Sequence, residues 1–81
     1  MDLDEIKFWD LIASVKENQN VVPQNVLKEV RILLEQVKKV ATCPIYGHVI
    51  DYKKALNDLK NLLKKNQQKL PKSIKEKLEV L

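Results

Sequence analysis

The chain has 81 residues, of which 44% are hydrophobic and 32% are charged, and its formal net charge is +4. A chain of this length is expected to fold as one domain, residues 1–81, with a core close to the lower limit for independent stability. One glycine, three prolines and many good helix formers predict an all-α protein. The single cysteine excludes an intramolecular disulfide and indicates a reducing compartment. With an acidic start unlike a secretory signal and no long apolar segment, we expect a cytoplasmic location.

The first predicted helix runs from about Asp4 to Asn18 and carries two apolar faces. The first face consists of Phe8, Leu11, Ile12 and Val15, and the second, roughly opposite, consists of Ile6, Trp9 and Ala13. A surface helix needs only one apolar face, so the second indicates either a helix packed on both sides or a contact outside the monomer. In the latter case the second face is a candidate partner-binding surface, with Trp9 as its anchor.

The second predicted helix has a long amphipathic pattern with one broad apolar face. It follows a polar connection at residues 18–22 and Pro23, which suits the first turn of a helix. From Val26 to Ala41 its apolar residues recur at i, i+3, i+4 and i+7 for more than four turns. We therefore expect this helix to be the central element of the fold.

The segment from Thr42 to His48 interrupts the helical pattern, because Pro44 and the only glycine of the chain fall within it. It is a candidate contact loop. Cys43 and His48 are two potential metal ligands where a structural zinc site uses four, and nothing orients them as a catalytic pair. No catalytic residue, metal site or cofactor is predicted.

The third predicted helix begins at Val49 or Asp51 and ends near Gln67, and the fourth runs from Pro71 or Ser73 to the end of the chain. Ser73 to Glu76 matches the capping-box pattern. Residues 10–33 also align with residues 58–81 at a constant offset of 48, without a gap. The shared unit is a helix, an Asn-Gln turn, Val or Leu before proline, and a second helix. Two such hairpins predict a small antiparallel four-helix bundle, with a pair of stacked repeats as the alternative.

The basic charge belongs to the C-terminal portion, since residues 51–81 carry nine lysines and four acidic residues. An acidic protein surface, an anionic membrane or a nucleic acid would suit this portion, and so would a merely solubilising role. The candidate partner-binding lysines are Lys60, Lys64, Lys65, Lys69, Lys72 and Lys75, joined by Lys53 if the partner is a nucleic acid. Against a nucleic acid, the only arginine, Arg31, lies outside this region.

The segment Lys69-Leu70-Pro71-Lys72-Ser73-Ile74-Lys75-Glu76, after a long helix rich in Leu and Lys, resembles the end of enterocin A-type bacteriocin immunity proteins. The helix Val26–Ala41 and the region Val49–Lys65 resemble the corresponding parts of that family. The resemblance implies a cytoplasmic four-helix bundle that protects a producer cell by engaging a peptide-occupied sugar transporter. Specificity would then reside in the C-terminal portion.

These observations favour a non-enzymatic helical module that binds another protein. The partner would be a membrane transporter, as the resemblance implies, or a second copy of the chain that completes a small core. The alternative is a small basic protein that binds nucleic acid or accompanies a nucleic-acid-processing complex. One histidine, one cysteine and no glycine-rich phosphate loop favour neither catalysis nor cofactor binding.

Overall fold

The computed structural model describes residues 3–41 and 51–80. They form α1 (Leu3–Glu17), α2 (Gln24–Ala41), α3 (Tyr52–Lys65) and α4 (Lys72–Val80), with one turn of 3₁₀ helix at Gln67–Lys69. This arrangement confirms the predicted all-α, antiparallel four-helix bundle built from two helical hairpins. The predicted contact loop at residues 42–48, with Cys43 and His48, lies outside the described residues.

The two hairpins, α1–α2 and α3–α4, are structurally equivalent at the predicted offset of 48 residues. α1 ends at residue 17 and α3 at residue 65, and α2 begins at residue 24 and α4 at residue 72. The side-chain amide of Asn18 donates to the carbonyl of Ser14 over 2.8 Å, and that of Asn66 donates to the carbonyl of Leu62 over 2.9 Å. Each asparagine therefore adds a side-chain hydrogen bond to a carbonyl in the last turn of its helix. The Ser14 carbonyl also accepts from the backbone N–H of Asn18 over 3.2 Å.

The core draws on both hairpins, and several pairs of equivalent positions are buried in both. Phe8, Leu11, Ile12 and Val15 on α1 are all at most 2% exposed, as their periodicity predicts. Leu11 and its equivalent Leu59 are fully buried, and so are Val26 and its equivalent Ile74. Because all these residues belong to one contiguous cluster, the two hairpins share a single core.

The central helix is α3 and not α2, which corrects the expectation from amphipathicity. α3 packs against α1, α2 and α4. On α2, Leu27, Leu33 and Leu34 are only partly buried against the core. A clean apolar arc shows that one face of a helix is buried, and it does not show how many other helices pack against that face.

The predicted capping box at Ser73 is wrong, because α4 begins one residue earlier, at Lys72. The carbonyl of Pro71 accepts from the backbone N–H groups of Ile74 (3.1 Å) and Lys75 (3.2 Å), as the first carbonyl of a helix does. Glu76 is therefore not in the third helical position, and its carboxylate instead lies 3.9 Å from the ammonium of Lys72.

Candidate partner-binding surface

The second apolar face of α1 is exposed and not packed on both sides. Ile6 is 48% exposed, Trp9 is 37% exposed, and Ala13 is exposed. The structure adds Leu3, 62% exposed, which lies one turn before Ile6. At 100° per residue these four residues fall within about 120° of one another, opposite the buried face. We call Leu3, Ile6, Trp9 and Ala13 the α1 stripe.

Trp9 is the best-anchored residue of the α1 stripe. Its indole N–H donates to the hydroxyl of Tyr52 on α3 over 3.4 Å, at the long end of hydrogen-bond range. Its ring lies edge-on to Phe8, with centroids 5.1 Å apart, and 6.4 Å from the ring of Tyr52. Phe8 and Tyr52 thus support one side of the indole while the other side faces solvent. A supported and partly exposed indole is typical of interface anchors.

The equivalence of the hairpins provides an internal comparison for the α1 stripe. Adding 48 to its residue numbers gives positions on or beside α3 that are exposed as well but polar: Asp51, Lys54, Asn57 and Asn61. Three pairs of equivalent positions are buried and apolar in both helices, namely Phe8 and Leu56, Leu11 and Leu59, and Val15 and Leu63. The buried Ile12 instead corresponds to the partly buried Lys60, and the exposed positions of the stripe differ in chemistry. The hairpin therefore folds without apolar residues at these places, and the α1 stripe is not required by the architecture.

The structure brings together four of the six candidate lysines. Lys64 and Lys65 in the last turn of α3 and Lys69 in the 3₁₀ turn line one open depression of about 400 Å³. Lys64 also lines a neighbouring depression of about 270 Å³, together with Lys75 of α4. Among the described residues no acidic side chain lines the depression of about 400 Å³, whereas Glu79 lines the depression of about 270 Å³. We call Lys64, Lys65, Lys69 and Lys75 the lysine cluster.

The other two candidate lysines lie in different surroundings. Lys60 lines a separate depression of about 680 Å³ with Lys53, Lys54, Asp4 and Asp51 among its walls. Lys72 is strongly exposed and faces Glu76 within its own helix. Exposed ion pairs of this kind contribute little to stability. Neither lysine adds to the charge of the lysine cluster in the depressions described above.

A hydrogen-bonded group of polar side chains between α1 and α4 could not be predicted from the sequence. Ser14 of α1 is 3% exposed, and its hydroxyl donates to the carbonyl of Asp10 over 3.1 Å. Lys77 of α4 donates to the Ser14 hydroxyl and, over 3.0 Å, to the Asp10 carboxylate. The partners are 63 and 67 residues apart in sequence, so helical periodicity could not pair them. The arrangement satisfies a buried hydroxyl and ties α4 to α1.

No known protein family, curated protein or solved structure matches this chain. Residues 3–41 and 51–80 include no helix both long and apolar enough to span a membrane. Among those same residues, no group of three or more His, Cys, Asp and Glu side chains is arranged to hold a metal ion.

Proposed function

We propose that this protein is a non-enzymatic helical module that binds another protein through the α1 stripe. The observation that carries the proposal is the contrast between α1 and α3. The two helices share three pairs of buried apolar positions, yet only α1 places apolar residues at the exposed positions of the stripe. Apolar surface left in water without a structural reason is typical of a protein contact.

The α1 stripe also has the composition of a contact centre. Its roughly 300 Å² of exposed apolar surface, judged from the exposed fractions of its members, approaches the largest patch found on a typical monomer. Trp9 supplies an aromatic anchor, and residues of this type dominate the binding energy of most interfaces. The flanking residues would then form the polar rim.

The proposal predicts that residues of α3 grafted onto α1 abolish partner binding. Ile6→Lys with Ala13→Asn places the equivalents Lys54 and Asn61 on α1, leaves Trp9 supported, and removes exposed groups only. Wild type and variant are used as tagged bait in cytosol and in detergent-solubilised membranes of the source organism. Each protein captured by the wild type is purified and its affinity for the variant is measured. We expect affinity to fall at least about tenfold, or 1.4 kcal/mol.

Ile32 provides the matched control, because it is also 48% exposed but lies on α2. Ile32→Lys adds the same charge and removes the same apolar side chain, so the captured partner should bind it as it binds wild type. An equal loss of affinity in the α1 variant and in Ile32→Lys would show that any added surface lysine disturbs binding. Full binding of the α1 variant would remove the stripe from the interface.

A membrane transporter is the specific partner implied by the resemblance of residues 69–76 to immunity proteins. In support, the predicted short final helix after Leu70-Pro71 is present as α4. The membrane fraction of the capture experiment addresses this possibility directly. Recovery of the partner from cytosol alone would contradict it.

The lysine cluster supports nucleic-acid binding as the second candidate function. Four lysines from α3, the 3₁₀ turn and α4 converge on two adjoining depressions. If all four contact phosphates of a single strand, the logarithm of affinity should fall with the logarithm of salt at a slope of about −3. Fluorescence anisotropy with a labelled oligonucleotide measures this slope. An affinity that does not change with salt would eliminate nucleic-acid binding. If the oligonucleotide does bind through the lysine cluster, a variant with all four lysines replaced by glutamine should lose that binding.

A further inference from the structure

The α1 stripe continues into a row of exposed positions that includes two carboxylates. Along α1 the row is Leu3, Ile6, Asp10, Ala13 and Glu17, with steps of three and four residues, and every member is exposed. This is the a/d spacing by which one helix packs along another. Trp9 flanks the row on one side. The row therefore begins with two large apolar residues and continues with an acidic residue, a small residue and a second acidic residue.

A partner helix suits this row better than a loop or a broad surface. The row is a ridge that follows α1 for its whole length of 15 residues, about 22 Å at the usual helical rise. Ridges of this kind pack into the grooves between the side-chain rows of a second helix. The contact would bury several hundred Å² on each side, as expected for a helical segment and less than the roughly 800 Å² per partner of a standard interface.

The carboxylates make a second copy of α1 a poor occupant. In a parallel pair of α1 helices, Asp10 and Glu17 would each face their own counterpart, which is unfavourable for like charges. In an antiparallel pair centred on the row, Asp10 would again face its own counterpart, and Glu17 would face Leu3 of the other copy, where its carboxylate would be buried without a partner. The occupant that satisfies both carboxylates presents basic residues opposite them.

We infer that the partner's contact element is an amphipathic helix with apolar residues facing Leu3, Ile6 and Ala13 and with lysine or arginine facing Asp10 and Glu17. The inference rests on the proposed function and names the chemistry of its partner. Asp10 remains available, since its side chain is 51% exposed although it contacts Lys77. A basic residue of the partner would share this carboxylate with Lys77.

Synthetic peptides test the inference directly on the full chain. One peptide of about 18 residues, long enough to span α1, carries Leu and Ala at its a and d positions and Lys at the two positions opposite the carboxylates. A matched peptide carries Glu at those two positions. Both lack aromatic residues, so the only tryptophan of the chain, Trp9, reports binding by its fluorescence. We expect the Lys peptide to bind at least about tenfold tighter than the Glu peptide, with the difference shrinking at high salt.

Variants of the protein separate the apolar and the charged parts of the contact. Glu17→Lys introduces the residue found at the equivalent position of α3, Lys65, and should remove most of the preference for the Lys peptide. Ile6→Lys with Ala13→Asn should lower the affinity for both peptides, whereas Ile32→Lys should change the affinity for either peptide by no more than about twofold. Equal binding of the two peptides, or no binding of either, would overturn the inference.

Two further outcomes distinguish this inference from the function on which it rests. If a captured cellular partner needs the α1 stripe but neither peptide binds, the proposed function stands and the basic helix is wrong. If vesicles of anionic lipid shift Trp9 fluorescence and the Lys peptide does not, the surface is a membrane contact and the inference is overturned. A concentration-dependent dimer that Ile6→Lys dissociates would replace the basic helix by a second copy.

Discussion

Replacing Phe8 with alanine is expected to lower the free energy of unfolding by about 4 kcal/mol. Phe8 is fully buried, and its ring lies 5.9 Å from that of Tyr52 on α3 and 5.1 Å from that of Trp9. The substitution therefore opens a cavity where α1 meets α3 and also removes two aromatic contacts. A domain of this size has a total stability of only about 4–12 kcal/mol, so the variant should be partly unfolded at 37 °C.

Urea unfolding followed by circular dichroism measures the effect of Phe8→Ala, and Phe8→Leu is its control. Leucine is the residue at the equivalent position of α3, Leu56, which is 4% exposed and belongs to the same core. We expect Phe8→Leu to cost less than about 1.5 kcal/mol, because it preserves most of the buried volume. A cost below about 1 kcal/mol for Phe8→Ala would contradict close packing of α1 on α3 at this position.

The sequence predicts the helices and most of the core because both depend on local periodicity. The buried positions of α1 follow from i, i+3, i+4 and i+7 spacing, and all four predicted residues are buried. The end of α1 and the end of α3 are marked in sequence by Asn18 and Asn66, whose side chains donate to carbonyls of their own helices. These hydrogen bonds join residues that are four apart in sequence, so they can be predicted from the local sequence.

Contacts between helices cannot be predicted from the local sequence, because they join residues that are far apart in the chain. The sequence leaves open whether the second apolar face of α1 is covered or exposed, and the packing of α1 against α3 and α4 on its other face leaves Ile6 exposed. In the sequence, Lys77 cannot be distinguished from the other lysines of the basic C-terminal portion. In the structure, its ammonium donates a hydrogen bond to the buried hydroxyl of Ser14. The apolar arc of α2 predicts a helix with one buried face, and it contains no information on how many neighbours that helix has.

The comparison between hairpins makes the candidate surface more specific than composition alone could. Exposed apolar residues are common on proteins and most need no explanation. Here, however, the same fold unit occurs twice, and the second hairpin shows that these exposed positions can hold polar residues in the same fold. Lys54 stands where Ile6 stands, and Asn57 where Trp9 stands. The difference between α1 and α3 therefore separates residues needed for folding from residues left for another role.

The same equivalence predicts that Leu11→Ala and Leu59→Ala lower the free energy of unfolding equally, by about 3 kcal/mol each and within about 1 kcal/mol of one another. Both leucines are fully buried at matching positions of one shared core. The exposed pair Lys16 and Lys64, also matched, provides the control, since Lys→Ala at either should change stability by no more than about 0.5 kcal/mol.

Two probes of the same urea titration show whether the hairpins unfold together. Trp9 fluorescence reports on α1 and on its contact with Tyr52 of α3, whereas circular dichroism at 222 nm reports on all four helices. Because the core is contiguous, Leu59→Ala in the second hairpin should lower the unfolding midpoint seen by Trp9 as much as the midpoint seen by circular dichroism. Midpoints that separate in Leu59→Ala, or costs that differ by more than about 2 kcal/mol between the two leucines, would show that the hairpins fold as independent units with unequal packing. The polar exposed face of α3 would then no longer serve as a reference for the α1 stripe.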